Sequence, residues 1–114
     1  MEIKTEEYSI TYETDTNTVI CEGSLRLSGM DEYTPMVELL NNIVDSGANN
    51  ITLNLRGLEF LNSSGINVLS KFVIKVRQQG NITMVVVGSN SVPWQGKSLK
   101  NLQKLMPSLQ LVLE

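Results

Sequence analysis

The fold is decided by the stretch Leu53-Asn-Leu-Arg-Gly57-Leu-Glu-Phe60-Leu-Asn62-Ser63-Ser64-Gly65-Ile66. A strand ends within it, a short loop over 57–62 follows, and a helix opens at Asn62-Ser63-Ser64-Gly65. Asn62 or Ser63 is a good N-cap, because a side-chain oxygen there accepts a hydrogen bond from a backbone N–H that the helix leaves free. Gly65 allows close packing in the first turn. The stretch therefore predicts a strand followed by its crossover helix.

Hydrophobic spacing on both sides of this stretch predicts the other elements. Strict alternation indicates strands, and apolar residues three and four apart indicate helices. The helix that opens at Asn62 has a predicted core stripe of Ile66, Leu69, Phe72, Val73 and Val76. The full set is a hairpin of strands at 8–12 and 19–27, helices at 31–46, 62–79 and 97–106, strands at 51–55 and 82–87, and an edge strand at 109–113.

The order of these elements, β-β-α-β-α-β-α-β, predicts an α/β fold with a mixed sheet flanked by helices. Helices between strands imply parallel crossover connections, and the opening hairpin adds an antiparallel part. The chain has 114 residues, of which 41% are hydrophobic, so it fits one globular domain over 1–114.

Composition excludes several classes of function. No histidine is present, which removes the commonest general base and metal ligand, and the single cysteine, Cys21, cannot form an internal disulfide. We therefore expect no metal, no cofactor and no enzymatic activity. The start of the chain is acidic, and no apolar run is long enough to span a bilayer. We accordingly expect a cytoplasmic protein that has no membrane partner.

Charge is distributed unevenly along the chain. The net charge is −3, but residues 1–57 carry −7 and residues 58–114 carry +4. The simplest interpretation is two solvated faces of opposite sign, and the sharper one is a dipolar surface that orients a protein partner. Nucleic acid is a poor candidate partner, because Phe60, Phe72 and Trp94 are the only aromatic residues of the basic half and do not form a stacking platform.

The predicted helix start at Asn62-Ser63-Ser64-Gly65 also has a functional interpretation. Free N–H groups and the positive end of the helix dipole can hold an anion there. That anion is either a bound ligand or a phosphate attached to Ser63, which brings about −1.5 to −2 charges at pH 7.

This segment resembles the phosphorylation site of the STAS domain, the fold of bacterial anti-sigma factor antagonists. The family pattern reads Asp-Leu-Ser-Gly and then Asp-Ser-Ser-Gly or Asp-Ser-Thr-Gly at the start of the second helix. Here the corresponding residues are Asn54-Leu55-Arg56-Gly57 and Asn62-Ser63-Ser64-Gly65. The order of elements matches along essentially the whole chain, although Asn54 and Asn62 stand where the family usually has aspartates.

The resemblance implies a regulatory module controlled by phosphorylation. Ser63 matches the phosphoacceptor serine of the family, and Ser64 is the second choice. The unmodified form would bind a serine kinase resembling an anti-sigma factor, phosphorylation by that kinase would release it, and a phosphatase would restore binding. The expected partner-binding residues are Gly57, Asn62, Ser63, Ser64, Gly65, Asn67 and Ile74.

Three side chains have both a structural and a functional interpretation. Ile74 lies off the predicted core stripe, and an interface role is about as plausible as none. Trp94 is expected to tuck its ring onto the end of the domain; an exposed ring would indicate a binding anchor. Cys21 is expected to be a small hydrophobic residue of a strand.

Two other functions remain open at this stage. One is a STAS-like scaffold without a switch, or a domain that binds a small anionic ligand at the same helix start. The other is an enzyme that uses Ser63 or Ser64 as a nucleophile, for which only Lys71, Lys75 or Glu59 could act as the base. The oligomeric state and the regulated pathway also stay open.

Overall fold

One mixed sheet carries all the strands of the fold, and the helices pack on it. The computed structural model describes residues 2–114. In chain order the elements are β1 (Glu2–Lys4), β2 (Tyr8–Glu13), β3 (Thr18–Leu25), α1 (Gly29–Glu32), α2 (Thr34–Asp45), β4 (Asn50–Leu61), α3 (Ser63–Gln79), β5 (Thr83–Gly88), α4 (Gln95–Leu105) and β6 (Gln110–Leu113).

The six strands lie in the sheet in the same order as in the chain. The β1–β2 and β2–β3 pairs are antiparallel, and β3, β4, β5 and β6 are parallel to one another. Because successive right-handed crossovers move in one direction across the sheet, they place α2, α3 and α4 on the same face. Burial agrees with this arrangement, since Met84 and Val86 of β5 are buried while Val85 and Val87 are only half-buried.

The predicted α/β class and mixed sheet are confirmed, and three parts of the structure differ from the prediction. A further strand, β1, precedes the hairpin and pairs Ile3 with Ile10. The helix predicted over 31–46 is divided at Tyr33 into α1 and α2. Pro35 explains the division, because proline has no N–H to donate and restricts the residue before it.

The prediction of a loop over 57–62 is wrong, because β4 continues as a strand to Leu61. Its pairing with β3 extends from Thr18–Thr52 to Leu25–Leu61. A register shift between Ile20 and Glu22 absorbs an extra residue of β4, as a β-bulge does. The break at Arg56-Gly57 that suggested a loop is therefore an irregularity within a paired strand.

On the side that faces β5, β4 extends beyond the end of its neighbour, so its backbone groups there need other hydrogen-bond partners. Pairing with β5 ends at Asn54. Beyond that point the Gln95 side-chain amide donates to the carbonyls of Leu55, at 2.6 Å, and Leu58, at 2.9 Å. The Trp94 indole N–H also donates to the Leu58 carbonyl, at 3.1 Å. Side chains at the start of α4 thus replace the missing strand.

Gln95 is fully buried and has all of its polar atoms paired. Its Oε1 accepts a hydrogen bond from the Ser89 backbone N–H at 2.7 Å, and its exposed fraction is 0%. Trp94 is half-buried with its indole bonded to β4, so the expected packing of its ring on the domain is confirmed. The side chains of Trp94 and Gln95 therefore hold β4 through hydrogen bonds, and we call this set of bonds the clamp.

The core forms one continuous cluster between the sheet and the helices. Cys21 and Leu69 are buried within it. Burial raises the pKa of the Cys21 thiol to about 12, which confirms the expectation of a small strand hydrophobe. The predicted core stripe of α3 is confirmed except at its start, where Val68 is buried and Ile66 is only half-buried.

Replacing Gln95 with leucine should strongly destabilise the domain. The variant leaves the Leu55 carbonyl and the Ser89 N–H buried without partners, and we expect a loss of about 3 kcal/mol in the free energy of unfolding. Urea unfolding measures it, with the exposed Gln79→Leu as the matched control. A Gln95 variant as stable as that control would show that the clamp contributes nothing.

Candidate functional site

Asn62 organises the junction between β4 and α3. Its Oδ1 accepts the Gly65 backbone N–H at 3.0 Å, so it is the N-cap of α3. Its backbone N–H donates to the Leu25 carbonyl at 3.2 Å, and its Nδ2 donates to the Leu27 carbonyl at 2.8 Å. We call these residues together with Tyr33 the Asn62 junction. The junction fixes the end of β3 against the start of α3.

Tyr33 completes the junction from the helical side. Its ring is fully buried, and its hydroxyl donates to Asn62 Oδ1 at 2.7 Å. Burial raises the pKa of the Tyr33 phenol above its usual value, so the hydroxyl remains a donor at neutral pH. A Cβ added to Gly65 would lie 2.8 Å from this hydroxyl and would collide with Leu61. Gly65 is therefore needed for the close packing that the sequence suggested.

The two serines at the start of α3 differ in exposure. Ser63 is the first residue of the helix and is exposed, whereas Ser64 is half-buried. The backbone N–H groups of both residues lie in the first turn, where the helix offers them no acceptor. The start of α3 therefore presents a hydroxyl to solvent beside free N–H donors.

Three of the expected partner-binding residues lie on one line along α3. Ser63, Asn67 and Ile74 are separated by four and seven residues, which places them on the same face of a helix. All three are exposed, and the exposed fraction of Ile74 is 40%. We call these residues the α3 stripe; it is about 16 Å long at 1.5 Å per residue.

Gly57 lies away from the α3 stripe. It precedes Asn62 by five residues of extended strand, a separation of about 15 Å. It lies opposite Glu22 of β3, and a Cβ at this position would meet Glu22 Cγ at 3.0 Å. The structure thus brings Ser63, Asn67 and Ile74 onto one exposed face with Asn62 and Ser64 half-buried near its start, whereas Gly57 lies apart. The prediction of Gly65 as a partner-binding residue is wrong, because Gly65 is buried against Leu61 and Tyr33.

An exposed aromatic residue near Ser63 was missing from the sequence prediction. Phe60 is 39% exposed, and the Arg26 guanidinium lies 4.7 Å from the centroid of its ring. Cation–π contacts of this kind stabilise both groups, and arginine and aromatic residues are frequent in interface hot spots. Alternation would have placed Phe60 on the same face as the buried Leu58; Phe60 is exposed because a register shift against β3, between Gly23 and Ser24, interrupts the alternation.

The site lacks the surroundings of a nucleophilic serine. Within residues 2–114 no side chain hydrogen-bonds to the Ser63 hydroxyl. Lys71 lies eight residues after Ser63 in α3, a distance of about 12 Å along the helix axis. Its ammonium is therefore beyond hydrogen-bond reach of a group at Ser63. The described part of the chain also contains no cluster of potential metal ligands.

Comparison with known proteins identifies the family. A family model described as the STAS domain matches residues 25–104, which include the Asn62 junction and the α3 stripe. The chain belongs to the STAS family. No curated protein sequence is similar to it.

Solved structures with the same fold have little sequence identity to this STAS domain. A chain of the complex of the diguanylate cyclase SiaD with its activator SiaC from Pseudomonas aeruginosa matches with a TM-score of 0.75 and 12% identity, covering 99% of this chain and 97% of that one. An anti-sigma factor antagonist from Mycobacterium paratuberculosis matches with a TM-score of 0.67 and 18% identity, covering 91% and 86%. Phosphorylated SpoIIAA, the Bacillus cell fate determinant, matches with a TM-score of 0.59 and 16% identity, covering 94% and 92%.

Within residues 2–114, no helix combines the length and the apolar composition needed to cross a bilayer.

Restoring the usual STAS aspartate should destabilise this domain. Aspartate and asparagine are equivalent N-caps in isolated helices, but Asn62→Asp removes the donor to the Leu27 carbonyl and sets two oxygens against each other. We expect a loss of about 1–3 kcal/mol in the free energy of unfolding at pH 7. Urea unfolding measures it, with the exposed Asn101→Asp as the control.

The loss in the free energy of unfolding caused by Asn62→Asp should also become smaller as the pH is lowered. The Gly65 N–H and the Tyr33 hydroxyl favour the charged form of the new carboxyl, whereas the Leu27 carbonyl beside it and its half-buried position disfavour that form. We expect the second pair of effects to be larger and to raise the pKa of the carboxyl in the folded state. The destabilisation is therefore complete above the folded pKa, shrinks as the pH falls from that value to about 4, the ordinary aspartate value, and is relieved below it, where the protonated group can donate again. An Asn62→Asp protein that is no less stable than wild type at pH 7 would contradict this account of the junction.

Proposed function

We propose that this STAS domain is a non-catalytic regulatory module of the cytoplasm. It binds a protein partner through the α3 stripe while Ser63 is unmodified, and phosphorylation of Ser63 releases the partner. The observation that carries the proposal is the position of Ser63, whose side chain is exposed at the first residue of α3 while the Asn62 junction holds that helix start in place.

The domain itself can accommodate a phosphate on Ser63. The positive end of a helix dipole favours an exposed negative charge by about 0.3–1 kcal/mol. Asn62 already occupies the Gly65 N–H, while the N–H groups of Ser63 and Ser64 remain as donors to an anion. Phosphorylation should therefore be neutral or mildly stabilising for the unbound domain.

The phosphate lowers the affinity of the domain for its partner rather than the stability of the domain. Helix α3 contains three basic residues, Lys71, Lys75 and Arg77, and no acidic residue. A partner that complements this helix presents negative charge. A phosphate of about −1.5 to −2 charges at one end of the stripe repels such a surface and loses hydration that the interface does not replace.

Proteins of the same fold support a role in partner control. SiaC is described as the activator of the diguanylate cyclase SiaD, with which it forms a complex, and SpoIIAA has been solved in a phosphorylated form. For this chain we propose a serine kinase resembling an anti-sigma factor as the partner that modifies Ser63. A phosphatase would return the domain to its binding form.

The alternative is a STAS scaffold without a switch, or a domain that holds a small anion at the start of α3. Intact-mass spectrometry of the protein purified from its native host distinguishes these functions. An added phosphate supports the switch, whereas a bound small molecule supports the alternative.

The switch predicts opposite behaviour for two Ser63 variants. Ser63→Ala should bind the partner constitutively, whereas Ser63→Asp should bind at least about a hundredfold more weakly because it adds charge to the interface. Both should melt within a few degrees of the parent protein. Affinity capture from the host with the two variants as baits, followed by calorimetric titration of the captured protein, measures these differences.

The site of modification is tested separately. Incubating the captured kinase with ATP and the parent protein should add one phosphate to Ser63, and tandem mass spectrometry should locate it there. Ser64→Ala is the matched control and should still be phosphorylated. Phosphate found on Ser64 alone, or tight binding by Ser63→Asp, would refute the proposed switch.

The α3 stripe predicts different effects for two neighbouring apolar residues. Ile74→Glu should weaken partner binding about tenfold or more without a change in stability, because the side chain is exposed. Leu69→Ala should lower the free energy of unfolding by about 2–5 kcal/mol, because Leu69 is 1% exposed. Thermal melting and calorimetric binding measure both. An unfolded Ile74 variant would place that residue in the core and contradict the stripe.

A further inference from the structure

A groove lies between α2 and α3, away from Ser63. Its volume is about 270 Å³. The floor is apolar and is formed by Met30 of α1, Val37 and Leu40 of α2, and Val68 and Phe72 of α3. Asn41, Lys71 and Lys75 complete its lining. We call this cavity the α2–α3 groove.

The polar residues of the groove are not equivalent. Lys75 forms an ion pair with Asp45 at 3.4 Å, and its side chain is only 31% exposed. Lys71 is exposed and forms no ion pair within residues 2–114. Asn41, which lines the groove from α2, has no side-chain hydrogen bond within the same residues. An ammonium and an amide are therefore available at the groove for an added oxygen ligand.

The sign of the charge around the groove selects the ligand. Among the residues that line it, two are basic and none is acidic, and the nearby Asp45 is already paired with Lys75. An anionic head group therefore gains a charge-assisted hydrogen bond from Lys71, whereas a cationic one is repelled. The apolar floor requires that the rest of the ligand be aliphatic.

The size of the groove limits the ligand to a small molecule. Ligand pockets for drug-sized molecules begin at about 300 Å³. A single aliphatic tail with one carboxylate fits these limits.

We propose that the α2–α3 groove binds a short- to medium-chain aliphatic monocarboxylate. The tail packs between Val37 and Phe72, and the carboxylate accepts hydrogen bonds from Lys71 and Asn41. The groove includes neither Ser63 nor Ile74, but it shares Lys71 and Lys75 with the basic residues of α3 that the proposed partner complements.

The test is an NMR titration of the full chain with three probes. Octanoate should shift the backbone amides of residues 37–41 and 68–75 in a saturable manner. Butyrate should bind at least about tenfold more weakly, since each buried methylene contributes to affinity. Octyltrimethylammonium, which has the same tail and the opposite charge, should produce no saturable shift at these residues.

Variants separate the head-group site from the tail site. Lys71→Glu should weaken octanoate binding at least about tenfold, while Lys97→Glu, an equally exposed lysine of α4, should leave it unchanged. Val37→Phe should abolish binding by filling the groove without altering charge. Since Lys71 is at the surface, the first variant remains informative even if the Val37 variant does not fold.

Each remaining outcome overturns the proposal. These outcomes are no saturable shift with octanoate, equal binding of the cationic probe, octanoate binding that survives Lys71→Glu, and self-association of the protein through the groove. Ser63→Asp should bind octanoate as the parent does, so a failure of the phosphorylation switch does not affect this result.

Discussion

The structure depends on satisfying the backbone of β4 where that strand extends beyond its neighbour. Pairing with β5 stops at Asn54, but β4 continues to Leu61 before α3 begins. Buried carbonyls on this extension would cost about 1–3 kcal/mol each if they had no partner. The side chain of Gln95 supplies the partners within the extension, and Asn62 ties its end to the preceding loop. Together with the pairing to β3, these two amides support the part of β4 that carries Ser63 to the position where α3 starts.

The two amides act at different distances from the site but through the same chemistry. An amide has a donor and an acceptor on one planar group, so it can join two backbone segments that each lack a partner. Gln95 joins β4 to the segment after β5, and Asn62 joins the start of α3 to the loop after β3. A carboxylate at either position would offer acceptors only. This explains why the aspartate usual in the STAS pattern is poorly suited to position 62 in this chain.

Much of the fold could be predicted because it depends on local spacing. The apolar run of β5, the helical spacing of α3 and the N-cap at Asn62 are properties of adjacent residues. The clamp at Gln95 could not be predicted, because its acceptors lie 40 and 37 residues earlier in the chain and meet it only once the crossovers are formed. The prediction of a loop over 57–62 was wrong because it also depends on distant residues. Gly57 resembles the end of a strand unless its pairing with β3, across a register shift, is known. Within the site, the hydrogen bond between Tyr33 and Asn62 could not be predicted either, because it spans 29 residues.

The replacement of aspartate by asparagine also determines what kind of switch this site can be. Before modification, residues 62–65 carry no charge and the charged residues of α3 are all basic, so a phosphate would change the charge of residues 62–65 from neutral to about −1.5 to −2. An aspartate beside the acceptor would make the starting state negative and the relative change smaller. The bonds of Asn62 to Leu27, Tyr33 and Gly65 leave that residue little freedom to rearrange. In the proposed switch, the phosphate would therefore act through its field on the partner surface, because the helix start that carries it is already fixed.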